Sequence, residues 1–254
     1  MWGGWRLRRV SALPEGWRNV TARSVGHWAV LGDDERDHLG GLMDELLRTK
    51  RWEAARGFEL TDEIRIVVAA EASLLVLGLD IDCYRDVSAI ILHPSTVTMR
   101  GERPGPARGV VTDSPLSVLG QAHARRGPVI IAWDAARADA RRPGTGHNVV
   151  LHEFAHKLDM LDGLVDGTPP LRDASVRQRW IEVCTAAYES LRAGDRETPL
   201  SAYGAINPGE FFAVATEAFF VVPETLHERE PALYGVLRDF YRQDPAGRPA
   251  RRDP

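Results

Sequence analysis

Two histidines four residues apart, with a glutamate beside the first, leave a helix few ways to fold when the rest of it is aliphatic and aromatic. This chain has that arrangement in V-V-L-H-E-F-A-H-K-L-D, residues 149–159. On an α-helix, positions i and i+4 share a face, so His152 and His156 can reach one metal ion. Glu153 lies about 100° further round, where it can face a metal-bound water without taking a coordination position. Val149, Val150, Leu151, Phe154, Ala155 and Leu158 clothe the other faces and predict a helix buried on most sides. Buried histidines need polar partners, and a metal supplies them. Imidazole suits zinc, and an open fourth position brings a bound water's pKa towards neutrality, with Glu153 as the general base. The bland alternative is an amphipathic helix with surface histidines. Asp159 returns to nearly the face of His152 and is a candidate to orient a histidine ring, against the alternative of a plain surface acid.

The third protein ligand must come from elsewhere. A continuation H-x-x-G-x-x-H is excluded, because Asp159 and Asp162 stand where glycine and histidine would be needed. The candidates are Glu182, Glu189, Glu197, Glu210, Glu217 and His227. The segment N-P-G-E-F-F-A-V-A-T-E-A-F-F, residues 207–220, stands out. Pro208 favours a helix start and puts Glu210 in its first turn. Glu210 and Glu217 then share a face of an otherwise apolar helix, about 10 Å apart at 1.5 Å per residue. They cannot both bind one ion; one is expected as ligand and the other as a partner to a histidine.

Composition narrows the class. The chain has 254 residues, enough for one medium or two small domains, and a net charge of −4, which gives no basic footprint for nucleic acid. Its two cysteines, Cys83 and Cys184, are far apart and outside any C-x-x-C, so no disulfide framework is expected. The N-terminus lacks the apolar core of a signal peptide, and the most apolar run, residues 64–79, is interrupted by Arg65 and Glu71 and is too short to span a bilayer. A cytoplasmic protein without membrane contact is expected.

Residues 1–30 read as an irregular lead-in with Trp2, Trp5, Trp17 and Trp28 as anchors, residues 31–243 as a single domain, and the Pro-, Gly- and Arg-rich residues 244–254 as a disordered tail. Helices are expected near 33–51 (weakened by Gly40 and Gly41), 62–77, 174–191, 209–221 and, in one or two pieces, 226–241. In the helix expected at residues 174–191, Trp180, Ile181, Cys184, Ala187, Tyr188 and Leu191 are expected to face inward. Strands are expected at 87–92, 110–112 and 129–133, with loops at 101–109 and 162–170 and a polar stretch at 137–146. The strand at 129–133 is expected near the site's edge, where an extended peptide could pair with it.

The ordered series G-F-E-L (57–60), G-P-V-I-I-A-W (127–133), V-V-L-H-E-F-A-H-K-L-D, N-P-G-E-F-F-A-V-A-T-E-A-F-F and F-Y-R-Q-D-P (240–245) resembles the Mlc titration factor A family of glucose-regulated metallopeptidases. The resemblance spans roughly residues 57–245. It implies an α+β zincin-like domain similar to the anthrax lethal factor catalytic domain, with a helical N-terminal part and a small mixed sheet. It further implies one Zn2+ held by His152, His156 and Glu210, Glu153 as general base, and Tyr203, seven residues before Glu210, as hydrogen-bond donor to the oxyanion. Glu217 is left as the histidine's partner. The implied activity is aminopeptidase-like hydrolysis of a peptide substrate. The implied alternative is an interaction protein that binds and inactivates a sugar-responsive transcriptional repressor.

Overall fold

The computed structural model describes residues 11–55, 57–95, 127–142, 144, 146–194 and 197–248. Helix α1 (Trp17–Ser24) leads through a 3₁₀ turn (Gly26–Val30) into α2 (Asp33–Thr49). Strand β1 (Arg51–Ala54), helix α3 (Asp62–Leu75) and strand β2 (Val87–His93) follow. Strand β3 (Gly127–Ala132) runs directly into α4 (Trp133–Arg141), and α5 (Val149–Asp159) carries the H-E-x-x-H pattern. The C-terminal part is helical: α6 (Ala174–Ala193), α7 (Pro208–Val221), α8 (Pro223–Arg229) and α9 (Pro231–Tyr241).

Helix α3 is the hub, because it is apolar nearly all round. Ile66, Val67, Val68, Ala69, Ala70, Leu74 and Leu75 are all buried. Thr61 Oγ1 caps its start by accepting from the Ile64 N–H at 3.4 Å, and α1, α2, α4 and α5 pack around it. On the other side of α5 lies α7, whose residues from Gly209 to Val221 are all buried. Helix α5 is thus sandwiched between two apolar helices, with β3 also against it.

The fold is α+β, as expected, with a three-stranded sheet in the order β1-β2-β3. The expected mixed sheet is corrected: among the described strands both pairings are parallel, Arg51 opposite Ala89 and Ile91 opposite Ile130. The chain between β1 and β2 passes through α3, and such a crossover is what brings sequential strands into parallel register.

Several other expectations change. The lead-in is not irregular throughout, since residues 17–24 are helical. Their helix has no side-chain cap and begins from Gly16 at φ 72°, so the usual start signal is missing. Trp17 lies over Gly40, where a Cβ would come within 2.6 Å of its ring, which explains a glycine inside α2. Residues 244–248, expected within a disordered tail, pack on the body: Pro245 is buried, the Ala246 N–H donates to the Tyr234 hydroxyl at 3.0 Å, and Arg248 reaches Glu35 at 2.8 Å. Ile181 faces outward at 40% exposed, because α6 buries a face centred on Trp180 and Ala187. Residues 133–141 form a helix where a strand end and a polar stretch were expected. Trp2, Trp5, the strand at 110–112, the loop at 101–109 and residues 249–254 lie outside the described residues.

Candidate metal centre

Helix α5 begins at Asn148, whose Oδ1 accepts from the Val150 and Leu151 N–H groups, both at 3.1 Å. That cap fixes where the helix starts and therefore which residues face α7. His152, Glu153 and His156 are 9%, 6% and 3% exposed. Helix α7 begins with Pro208 in its first turn and Asn207 as its cap, Oδ1 accepting from the Glu210 N–H at 2.9 Å. Glu210 therefore points across the helix interface at the two histidines.

The three groups converge. His152 Nε2 lies 3.1 Å from Glu210 Oε2 and 3.2 Å from His156 Nε2, and His156 Nε2 lies 3.5 Å from Glu210 Oε2. A tetrahedral zinc ion with bonds of about 2.0–2.1 Å holds neighbouring donors about 3.3–3.4 Å apart, so the spacing suits all three side chains binding one such ion. Among the described residues this trio is the set of metal-ligating side chains that meets within 4.8 Å. Three nitrogen and oxygen donors, with a fourth position left over, are also the donor set of catalytic rather than structural zinc.

Glu217 stands behind His152, two turns further along α7. Its Oε1 lies 2.6 Å from His152 Nδ1, and its Oε2 accepts from the Asn148 N–H at 2.7 Å. A carboxylate there keeps a proton on Nδ1, which leaves the Nε2 lone pair for a cation. The exposed His147 adds a weaker approach to Glu217, Nδ1 to Oε2 at 3.6 Å.

The electrostatics follow from three carboxyl groups in one dry interior. Burial alone would lower the His152 pKa, but the Glu210 and Glu217 carboxylates overcome it and raise it to about 10. Burial works against Glu210 too, yet hydrogen bonds from His152 and His156 hold it well below the usual carboxylate range. Glu153 is pushed up to about 8, by burial first, with His152 opposing and Glu210 adding to the shift. A cation at the triangle would relieve this excess of acid.

Tyr203 sits in a 3₁₀ turn (Ala202–Ala205) capped by Ser201, with its ring 5.9 Å from that of His152. Burial, then the Glu210 and Glu153 carboxylates, hold its phenol above the ordinary range. Asp159 has a different place. Its Oδ2 accepts from the Gly167 N–H at 3.1 Å, and this described bond runs to the loop, not to a histidine ring. Burial raises its pKa to about 7.

Three residues that the sequence reading passed over are linked to this cluster by buried hydrogen bonds: Asn148, Glu71 and His27. Asn148 Nδ2 donates to Glu71 Oε2 at 2.8 Å, and Glu71 Oε1 lies 3.3 Å from His27 Nδ1. Glu71 did leave a signal, an acid interrupting the most apolar run of the chain; His27 left none.

Comparison with known proteins agrees with this geometry. The sequence model of the glucose-regulated metallo-peptidase M90 family matches residues 2–242. The chain belongs to that family. Mlc titration factor A of Edwardsiella ictaluri is 34% identical over 226 residues, covering 87% of this chain and 85% of its own. Mlc titration factor A of Salmonella gallinarum is 30% identical over 252 residues, covering 96% and 92%. An uncharacterised protein of Synechocystis sp. is 34% identical over 249 residues, covering 96% and 90%. M90 membership supports a metallopeptidase, and the trio His152, His156 and Glu210 is a possible metal site within it. No helix among the described residues is long and apolar enough to cross a membrane.

Proposed function

We propose that this M90 protein is a zinc-dependent, aminopeptidase-like metallopeptidase acting on peptides in the cytoplasm. The observation that carries the reading is the triangle of His152, His156 and Glu210 donors with edges of 3.1–3.5 Å, beside Glu153 on the same helix. His152, His156 and Glu210 would hold the ion. Bound zinc supplies a Lewis acid that acidifies a water and polarises the scissile carbonyl.

The chain's own residues do the rest. Glu153 takes the proton of the attacking water and passes it to the leaving amine. Tyr203 donates a hydrogen bond to the oxyanion as the tetrahedral centre forms. Glu217 fixes the tautomer and tilt of His152. Strand β3, at the edge of the described sheet and against α5, offers its backbone to an extended peptide.

The test is metal content together with hydrolysis of aminoacyl anilides, for the wild type and Glu153→Gln in parallel. Stoichiometric zinc in both, with turnover in the wild type alone, supports the reading; a wild type without stoichiometric zinc overturns it. A second reading draws on the name of the relatives, Mlc titration factor A. Here the chain binds a sugar-responsive repressor and catalysis is secondary. Repressor binding that survives Glu153→Gln, with no turnover in the wild type, favours it.

A further inference from the structure

Behind the metal triangle runs a continuous buried chain of polar groups. From His152 it passes to Glu217, then to Asn148 through the backbone N–H at 2.7 Å, then through Asn148 Nδ2 to Glu71 at 2.8 Å, and on to His27. His27 Nε2 closes it on the Phe220 carbonyl of α7 at 3.1 Å. Glu71 and Asn148 are 0% and 1% exposed. These groups come from the N-terminal 3₁₀ turn, α3, the start of α5 and α7, so the chain ties four elements together around the site.

Asn148 is the junction. Its side-chain oxygen caps the metal helix, its amide group donates to Glu71, and its backbone donates to Glu217. Both ring nitrogens of His27 face oxygens, which suits a doubly protonated ring. Burial opposes that charge, but Glu71 outweighs it and raises the pKa.

We propose that His27, Glu71 and Asn148 are positioning residues of the metal centre, holding Glu217 and the start of α5 so that His152 and His156 converge with Glu210. This rests on the metal site of the proposed function, and it assigns work to a segment far from the H-E-x-x-H pattern. A filler role would make these residues matter for folding alone; a positioning role makes zinc affinity depend on them.

Asn148→Asp separates the two. Aspartate keeps the helix cap but turns an amide donor into a carboxylate facing Glu71. Adding Glu71→Gln restores a donor–acceptor pair with the original net charge. The experiment measures zinc affinity by chelator competition, and the visible spectrum of the cobalt-substituted protein, for wild type, N148D, E71Q and N148D/E71Q. Circular dichroism at the assay temperature shows that each is folded.

N148D is expected to weaken zinc about 10–100-fold and to shift the cobalt bands, as for other residues that orient metal ligands. The double variant should return to within about threefold of wild type, because the reversed pair satisfies the same groups. E71Q alone should be close to wild type, since the glutamine oxygen still accepts from Asn148 Nδ2 and its amide can donate to His27 Nδ1 once that ring carries a single proton, on Nε2 facing the Phe220 carbonyl. Wild-type zinc affinity and spectrum in N148D, with only the melting temperature lowered, overturns the inference. So does a double variant as weak as N148D. A wild type that binds no zinc overturns the metal site itself, and this inference with it.

Discussion

Replacing Glu217 with glutamine removes one oxygen's acceptor capacity and no volume. Glu217 serves two buried donors, His152 Nδ1 at 2.6 Å and the Asn148 N–H at 2.7 Å. Glutamine has a single acceptor oxygen, and its amide would face whichever donor the oxygen does not serve. A buried donor left without its acceptor costs about 1–3 kcal/mol. For a chain of this size about 1 kcal/mol moves the midpoint by about 2–4 °C, so the metal-free variant should melt about 2–12 °C below the wild type. The His152 ring also loses its anchor, which should weaken zinc about 10–100-fold. The two readouts are a thermal melt of metal-free protein and chelator competition for zinc. The sign with pH follows from Glu217, whose pKa the native state lowers despite burial, through His147, His152 and the Asn148 N–H. Its contribution is present above the unfolded value near 4.5 and is lost as pH falls through the lower folded one, so the gap between variant and wild type should close in acid. A Glu217→Gln protein with wild-type melting and wild-type zinc affinity at pH 7 would refute the role given to this residue.

Tyr203→Phe should lower kcat about 10²–10³-fold while leaving zinc content unchanged, because its hydroxyl is needed only as the oxyanion forms; steady-state anilide hydrolysis with metal analysis checks it. Asp159→Asn should keep the bond to Gly167 and remove a buried acid whose pKa burial has raised from 3.8 to about 7. The native state disfavours that charge, so the variant's gain in melting temperature should grow from about pH 4 to pH 7 and then level off, as melts across that range would show. Gly167→Ala should destabilise by about 2–4 kcal/mol in a denaturant titration, combining left-handed backbone with overpacking. Gly167 sits at φ 75°, and its Cβ would come within 2.4 Å of the Pro208 carbonyl oxygen.

The parts of this molecule that the sequence made legible share one property: the information is local. The pairing of His152 with His156 needs only the pitch of a helix. Pro208 announces the start of α7 and so where Glu210 lies. What stayed hidden depends on distant partners. Strand β1 is four residues with Arg51 and Glu53 in it, and only its pairing with β2 makes it a strand. Helix α4 follows β3 without a turn signal, and its alanines were outweighed by the surrounding arginine and aspartate. The packing of residues 244–248 rests on Tyr234, Glu35 and Gln243, which composition cannot see. Asp159 shows the limit of face arithmetic: seven residues returned it near His152, but the Gly167 loop was there to meet it.

Between the H-E-x-x-H helix and Glu210 the chain makes a long excursion through the loop that carries Leu164 and Val165, 54% and 44% exposed, and then through α6. A protease that enters at those two residues would divide the polypeptide between the two halves of the proposed metal site. The halves would not drift apart, because α5 and α7 remain pressed together along their length and a shared ion would bridge the cut. The proposed metal centre would in that sense be a clasp. A nicked molecule should elute as one particle and separate into fragments only when it is unfolded.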